Sequence, residues 1–462
     1  MSRTADVVLC VDVGSTFTKA LLVDLDAAEV LGTAQAPTFG TGDVMDAVDA
    51  CRAELAGVDP RAQDAEALAC SSAGGGLRIL VVGHEALVTA EAGRRVALSS
   101  GGRVAGVVAT AGRSVDEVAG EVSGLSADVV LLTGGTDGGN AEALLAGARA
   151  LVAAGWRGPV VVAGNVAAHE EVSTVLDGIP HELAANVVPR IGVLAPEAAR
   201  SAIREQFLRH VIGGKGLSAR PEFAGLVRGA TPDVVLAGVE LLAHGLDEAR
   251  PGAGDVAVVD VGGSTTDVYS VVTLDPELSD AGLAHDVVAP TSANRTVEAD
   301  LGMRGSAPGV VEAAGAEATD VLRAAAAERA ADPGFVPRTP AEAADDETLA
   351  RIAALTAVRR HAGRSQVRLT PEGRVVERSG VDLREVVLVV GSGGVLRRGR
   401  PGAAERVLGG LVGPDHPEGW QTPERARVVV DHDYLLLAVG LLASTHPLVA
   451  RRLAAALTRV RG

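Results

Sequence analysis

The sequence predicts an α/β protein built in two halves, and three observations lead there. Apolar runs such as Val256–Asp260 and Glu385–Val390 are continuous rather than alternating, the mark of strands covered on both faces. Helical patterns separate them, as at Glu197–Ile212, where Ala198, Ile203, Phe207, Leu208 and Val211 fall at helical spacing. Two stretches, VVLCVDVGSTFTKALLVDL and VAVVDVGGSTTDVYSVV, share one plan: apolar strand, Asp-Val-Gly, small polar residues, Thr, second strand. Each opens one half.

Taken in order, Val7–Val11, Thr18–Val23 and Val30–Ala34 read as strands, a helix follows over about Val44–Leu55, and Ala67–Ser71 is a strand. A glycine-rich region carries short strands at Ile79–Val82 and Val104–Ala109. The strand Ala127–Thr133 runs into TGGTDGGN, the helix Ala141–Ala154 follows, and Pro159–Ala163 is a further strand. In the second half, strands Val256–Asp260 and Asp267–Thr273 flank the second turn. Helices are expected over Val310–Arg329 and Asp346–His361, with the Pro-rich ADPGFVPRTPAEAADD as a loop between them. The strand Glu385–Val390 enters GSGGVLRR, and the strand Arg427–Val430 leads to a last helix from Tyr434. No short-period repeat is present; the repeated feature is the opening hairpin.

Composition limits the functions. The 462 residues suffice for two or three domains with real cores. A net charge of −17 disfavours nucleic acid and anionic lipid, and the best basic patch, Val395–Arg400, is short. Aromatics at 2% leave no stacking platform for single strands. No apolar run approaches the roughly 20 residues of a membrane helix. The N-terminus MSRTADVVLC is broken by Asp6 and Asp12, so no signal peptide is read and the expected compartment is the cytoplasm. Cys10, Cys51 and Cys70 are too few and too irregular for a disulfide framework or a zinc site. The only lysines are Lys19 and Lys215; every other side-chain cation of this kind is arginine. A surviving lysine hints at a need for a compact ammonium, and Lys19 lies inside the first hairpin.

The turns suggest the chemistry. Asp12 and Asp260 are placed at strand ends, aimed at their turns. Gly14, Gly262 and Gly263 are expected to permit positive φ and close backbone approach. Successive N–H groups there form an anion nest, and Ser15, Thr16, Ser264 and Thr265 add hydroxyls for phosphate oxygens. A carboxylate beside them suits a hydrated Mg²⁺. Either turn alone is an ordinary hairpin turn; two near-copies, each opening its own half, favour phosphate. A third turn, Gly391-Ser392-Gly393-Gly394, offers bare backbone on which a flat ring can lie.

In that order the three turns resemble those of the acetate and sugar kinase, heat-shock chaperone and actin superfamily. The small-residue helix Ala438–Ala443 is similar to the helix near that superfamily's interdomain hinge. The resemblance implies two RNase-H-like (actin-like ATPase) domains with a nucleotide cleft between them, closing over ATP and Mg²⁺, the first enlarged by an extra α/β region over about 74–178. The expected division is 1–215, a connector 216–254, and 255–462. Asp12–Thr16 and Asp260–Thr265 resemble the two phosphate loops, and Gly391–Gly394 the adenosine loop. Asp137 is one candidate for the superfamily's further catalytic residue and also reads as a turn residue.

The segments VDVGSTFTK, LLTGGTDGGN, VAGN, TSANRTVEADLGMRGS and DHDYLLLAVGLL together resemble the GlmL/MutL family. That family accompanies adenosylcobalamin-dependent glutamate mutase (methylaspartate mutase). The resemblance implies an ATP-driven reactivating chaperone that helps a mutase exchange damaged cobalamin, itself holding no tightly bound cobalamin or iron–sulfur cluster. It implies Asp12 and Asp260 as catalytic and as Mg²⁺-positioning through water. Gly14, Ser15, Thr16, Lys19, Gly262, Gly263, Ser264, Thr265, Gly391, Ser392, Gly393 and Gly394 are the implied nucleotide-binding residues. Lys19 either reaches phosphate or faces away. Thr266 and Asp267 are read as strand residues on a solvated face, Lys215 as a neighbour of a helix end, and Asn165 and Arg304 have no assigned role. The alternatives are a small-molecule kinase of the same fold, and an iron–sulfur activator of 2-hydroxyacyl-CoA dehydratases, for which Cys70 is the best-placed thiol. The region 74–178 is expected to contact the partner.

Overall fold

The computed structural model describes residues 6–39, 42–214, 216–274, 291–370, 373–413 and 419–458. Lys215 lies outside them. The chain divides into two compact units, the first running to Val235, the second taking Leu236–Thr273 and Ser292 onward.

The first unit opens with β1 (Val7–Val13), β2 (Phe17–Asp24), β3 (Glu29–Pro37) and β4 (Glu66–Ser71). An inserted series follows: β5 (Arg78–Gly83), β6 (Arg103–Ala109), β7 (Val129–Leu132), β8 (Val160–Val162) and β9 (His181–Leu183). The chain then returns through β10 (Val227–Ala230) to complete the first sheet, ordered β10-β4-β1-β2-β3. β1 pairs antiparallel with β2, β2 antiparallel with β3, and β4 runs parallel to both β1 and β10.

In the second unit a small ribbon, β11 (Gly245–Asp247) and β12 (Arg250–Pro251), precedes β13 (Val256–Val261), β14 (Thr266–Val271) and β15 (Ala293–Glu298). A second ribbon, β16 (Ser365–Thr370) with β17 (Gly373–Arg378), precedes β18 (Leu388–Ser392) and β19 (Arg427–Val430). The main sheet is ordered β15-β14-β13-β18-β19, with β14 antiparallel to β13 and β15, and β18 parallel to β13 and β19. Pairing and order repeat those of the first sheet. The RNase-H-like topology implied by the sequence is therefore present twice, once per unit.

The continuous apolar runs follow from two-sided burial. All seven residues of β1 are buried. In the inserted sheet, Ile79 and Val81 join the core that β1 and β4 share, while Leu80 and Val82 pack on the other face with Val118, Leu144 and Leu151. The insert is thus fused to the first unit through one face of its sheet.

Local chemistry corrects several boundaries. The stretch Val310–Arg329 is two helices, Ala307–Ala313 and Asp320–Ala331. Gly315 at φ +54° turns the chain between them, and Thr319 caps the second by accepting the Leu322 N–H. The Pro-rich loop ends at Thr339. Pro340 sits in the first helical turn, where its missing N–H costs nothing, and Thr339 and Glu342 form a capping box. That helix runs Pro340–Ala362. The turn after Phe207 widens into a π-helix over Leu208–Ile212, and β18 starts at Leu388 rather than Glu385. Among the described residues no helix is long and apolar enough to cross a membrane.

His361, on the long helix, is 2% exposed. Its Nε2 lies 2.8 Å from Ser270 Oγ and its Nδ1 3.0 Å from Thr296 Oγ1. Burial pushes the imidazole down to about 4 from 6.5. The unfolded chain takes up a proton near pH 6.5 that the folded chain refuses until about pH 4. Stability therefore falls as pH drops through that window, by about 3 kcal/mol from this group. His361→Gln is expected to flatten that limb, read by urea unfolding at pH 7, 5.5 and 4.5. An unchanged difference between pH 7 and 4.5 would rule the assignment out.

Candidate functional site

In the first unit the site gathers where β1, β4 and β10 end. Asp12 is 6% exposed and sits opposite Lys19 in the β1–β2 register. The Lys19 Nζ lies 3.9 Å from Asp12 Oδ2, so the lysine side chain turns to the carboxylate's side of the hairpin. Thr231, the first residue after β10, donates its hydroxyl to Asp12 Oδ1 at 2.7 Å. Cys70 Sγ lies 3.8 Å from the same oxygen. Burial first, and the Asp12 charge second, push the Cys70 thiol well up, so it stays a protonated, unreactive group. Cys10 and Cys51 are buried as well.

The first turn is pinned from the residue just after β3. Thr38 donates its hydroxyl to the Gly14 carbonyl at 2.8 Å and its N–H to the Thr16 carbonyl at 2.9 Å. In a trans peptide the N–H points opposite to the carbonyl. With those oxygens tied to Thr38, the Ser15 and Phe17 N–H groups face the other way, and Ser15 and Thr16 are exposed. Gly14 does not adopt positive φ. Its requirement is closeness: a Cβ there would stand 2.5 Å from the Phe17 carbonyl oxygen.

The second turn uses the same device with a different clamp. The Gly262 and Gly263 carbonyls accept the Met303 and Arg304 N–H groups at 3.0 and 2.7 Å, and the Ser264 carbonyl accepts the Ser306 hydroxyl at 3.0 Å. The N–H groups of Gly263, Ser264 and Thr265 therefore point away from the 303–306 segment. Gly262 and Gly263 also lack positive φ; a Cβ on Gly262 would meet the Thr265 carbonyl oxygen at 2.8 Å. The expected positive φ at these three glycines is thus replaced by tight closure of each turn on itself. Arg304 gains a role as part of the clamp. Its guanidinium is anchored to Asp346 Oδ2 at 3.1 Å and to the Phe335 carbonyl at 3.1 Å.

Thr266 and Asp267 are not on a solvated face. Thr266 is fully buried and donates to the Leu301 carbonyl at 2.6 Å. Asp267 is paired with Arg295 at 2.6 Å and accepts the Thr265 hydroxyl at 2.9 Å. β14 has a partner on each edge and five of its six residues are buried, on both faces of the strand, so its polar residues are enclosed and must pair. Asp267 thereby orients Thr265.

The third turn adjoins the second. Ser392 pairs with Asp260 in the β13–β18 register, and Asp260 is half-buried. The glycines differ in purpose. A Cβ on Gly391 would meet Leu408 at 2.4 Å, and one on Gly393, at φ +107°, the Val261 carbonyl at 2.2 Å. Both are packing glycines, and Ser392 is buried. Gly394 alone is exposed, with nothing within 4 Å of its Cβ position. The bare backbone expected of the whole turn is offered at Gly394.

The short basic stretch after it is occupied internally. Arg397 stacks on the Tyr434 ring at 3.4 Å, and Arg400 and Arg406 both grip Glu347. Their hydrogen bonds, Arg406's first, hold the Glu347 carboxyl down to about 2. Asp137 lies in the loop after β7, in the inserted sheet rather than the β10-β4-β1-β2-β3 sheet that carries Asp12. Among the described residues no three His, Cys, Asp or Glu side chains gather as metal ligands. Thr231, Thr38 and Arg295 carry the geometry yet escape sequence reading, because their partners lie 219, 24 and 28 residues away.

A family model described as "MutL protein" matches residues 8–457. Protein MutL of Clostridium tetanomorphum is 36% identical over 463 residues, covering 96% of this chain and 97% of that protein. Among solved structures, gluconate kinase from Lactobacillus acidophilus is 11% identical with a TM-score of 0.32, covering 97% of this chain and 91% of that one. The activator of the 2-hydroxyisocaproyl-CoA dehydratase from Clostridium difficile, solved with bound ADPNP, is 10% identical with a TM-score of 0.30, covering 99% and 100%. Overlap at those scores carries no argument about the site.

Proposed function

This chain belongs to the MutL protein family, and on that premise we propose that it is an ATP-hydrolysing accessory protein that reactivates adenosylcobalamin-dependent glutamate mutase in the cytoplasm. The observation that carries the ATP reading is the duplicated turn. In each unit an aspartate stands one residue before the end of the strand that leads into the turn, β1 or β13, and a clamp holds the turn's carbonyls back so that its N–H groups face outward. Such nests suit phosphate oxygens.

Asp12 and Asp260, each at the turn of its own unit, would hold a hydrated Mg²⁺ through water. Asp12 Oδ1 is oriented by Thr231, while Oδ2 has a loose ammonium neighbour at 3.9 Å. Mg²⁺ there would neutralise phosphate charge. The turn N–H groups, that of Thr265 among them, with Ser15, Thr16, Ser264 and Lys19 bind the phosphates, the Thr265 hydroxyl proton being given to Asp267, and Gly394 lies under the adenosine. Water attacks the γ-phosphorus, the bond to the β-bridging oxygen breaks, and ADP and phosphate leave. The conformational change that accompanies turnover is used to open the mutase's cobalamin site.

Phosphate release from MgATP, measured with and without inactivated glutamate mutase, tests this. Hydrolysis that rises with the mutase and restores its activity supports the proposal. Hydrolysis indifferent to the mutase removes the client. No nucleotide binding removes the whole reading.

Thr231 is a positioning residue, since it acts through Asp12. Thr231→Val removes one hydrogen bond to a charged acceptor, worth about 1.5–3 kcal/mol. The Mg²⁺ concentration for half-maximal hydrolysis is expected to rise at least tenfold, with Thr231→Ser restoring it. Equal Mg²⁺ dependence in both variants and the wild type would refute the role.

A further inference from the structure

The inserted sheet is ordered β6-β5-β7-β8-β9, all parallel. Counted within itself this is 2-1-3-4-5, with the order reversing between β5 and β7. In open sheets of this kind a ligand enters outside the carboxyl ends of the strands at the reversal, its phosphate on a helix N-terminus. Here that use is blocked. The first turns of the helices on this edge carry Glu91, Asp116, Glu117, Glu142, Glu170 and Glu171. Glu91 is paired with Arg94 and Arg95 and Glu142 with Arg149, while Asp116, Glu117, Glu170 and Glu171 complement the helix dipoles and repel an anion.

The same edge presents exposed apolar side chains on firmly held loops. Ile191 is 81% exposed at the tip of a tight turn, where Val193 donates to the Arg190 carbonyl at 3.0 Å and Gly192 takes φ +76°. Val166 is 44% exposed and Leu87 72%. Asp137 joins three of these loops. Its N–H donates to the Pro189 carbonyl at 3.0 Å, and its Oδ1 accepts from Asn186 at 2.9 Å and from the Val166 N–H at 3.1 Å. Buried Asn165 holds the other side of TGGTDGGN, accepting the Gly138 N–H and donating to the Gly139 carbonyl. An isoleucine exposed at the tip of a hydrogen-bonded turn, beside a loop stapled from two directions, is preorganised for contact.

We propose that this carboxyl edge docks one folded protein whose surface sets basic side chains around an apolar pocket, with Ile191 entering the pocket. Charge fixes the partner's sign. The exposed carboxylates of Glu85, Asp116, Asp137, Glu170 and Glu171 face two exposed arginines on these loops, and one of them, Arg113, is already held by Glu121. The inference rests on the reading above in taking that partner to be the mutase.

Titration calorimetry of the full chain with purified glutamate mutase tests it, using wild type, Ile191→Ser, and Val152→Ser as a control on an exposed valine at the far end of a helix in the same insert. Ile191→Ser is expected to weaken binding at least tenfold, with Val152→Ser unchanged, mutase-independent ATP hydrolysis unchanged, and affinity falling with added salt. Wild type binding the mutase with Ile191→Ser equally tight overturns this inference alone. Equal weakening by both variants overturns it as well. A wild type that does not bind the mutase overturns the proposed function, and this surface with it.

Discussion

Asp12→Ala and Asp260→Ala are each expected to lower MgATP hydrolysis by at least 100-fold while the protein stays folded. Asp12 is the penultimate residue of β1, with one oxygen fixed by Thr231 and the other 3.9 Å from Lys19. On the proposed function, its place beside a nest of N–H groups would make it the first unit's fixed negative charge for a cation carried by phosphate. Removing one preorganised charged partner of a transferring phosphoryl group costs about 3–4 kcal/mol of barrier, or about 10²–10³ in rate. The folding cost is smaller, because Lys19 is partly exposed and recovers water when its partner goes. Phosphate release at saturating ATP, beside thermal unfolding of each variant, separates the two effects. A variant that melts like wild type and turns over at the wild-type rate would remove its aspartate from the site. The two positions are equivalent in topology, so loss at Asp12 without loss at Asp260 would mean that only the first unit's turn serves phosphate.

Much of the fold was legible because the signals are local. The paired VDVGST and VDVGGST turns, the continuous Val/Leu strands and the glycines between them show the twofold plan, and each main sheet indeed starts at its copy of the turn. The positions of Asp12 and Asp260 at strand ends follow from the same pattern. What sequence could not supply was the clamps. Thr38 and the 303–306 backbone hold turns far away in the chain, and Thr231 meets Asp12 only because β10 returns beside β4 after the insert. Asp267 was misread for a related reason. A polar residue on a strand looks solvated until its neighbours are known, and Arg295 lies on the adjacent strand. Glycine was over-read in one respect. A glycine records either a backbone angle or a close approach, and sequence does not distinguish them: Gly14 and Gly262 are cases of approach, Gly393 of both.

That distinction gives the second large effect, in the Gly391–Gly394 turn. Gly393→Ala places a Cβ 2.2 Å from the Val261 carbonyl oxygen on a backbone at φ +107°. The obstacle is backbone at the last residue of β13, still paired with Thr266, so it cannot rotate aside as a side chain would. Left-handed strain of about 1–2 kcal/mol adds to overpacking of about 1–3 kcal/mol, for a loss near 3 kcal/mol. Because Val261 leads directly into the turn that the proposed function assigns to phosphate, nucleotide affinity is expected to fall together with stability. Gly394→Ala is the opposite case. Its Cβ meets open space at the start of the helix Gly394–Arg397, so unfolding by urea is expected to be unchanged or slightly shifted upward. If adenosine lies on that bare backbone, the added methyl lifts the ring, and ATP affinity falls at least tenfold in a protein of normal stability. Titration of a fluorescent ATP analogue into both variants reads the difference. Unchanged affinity in Gly394→Ala would move the adenosine away from this turn, whereas full stability in Gly393→Ala would contradict the packing of the turn itself.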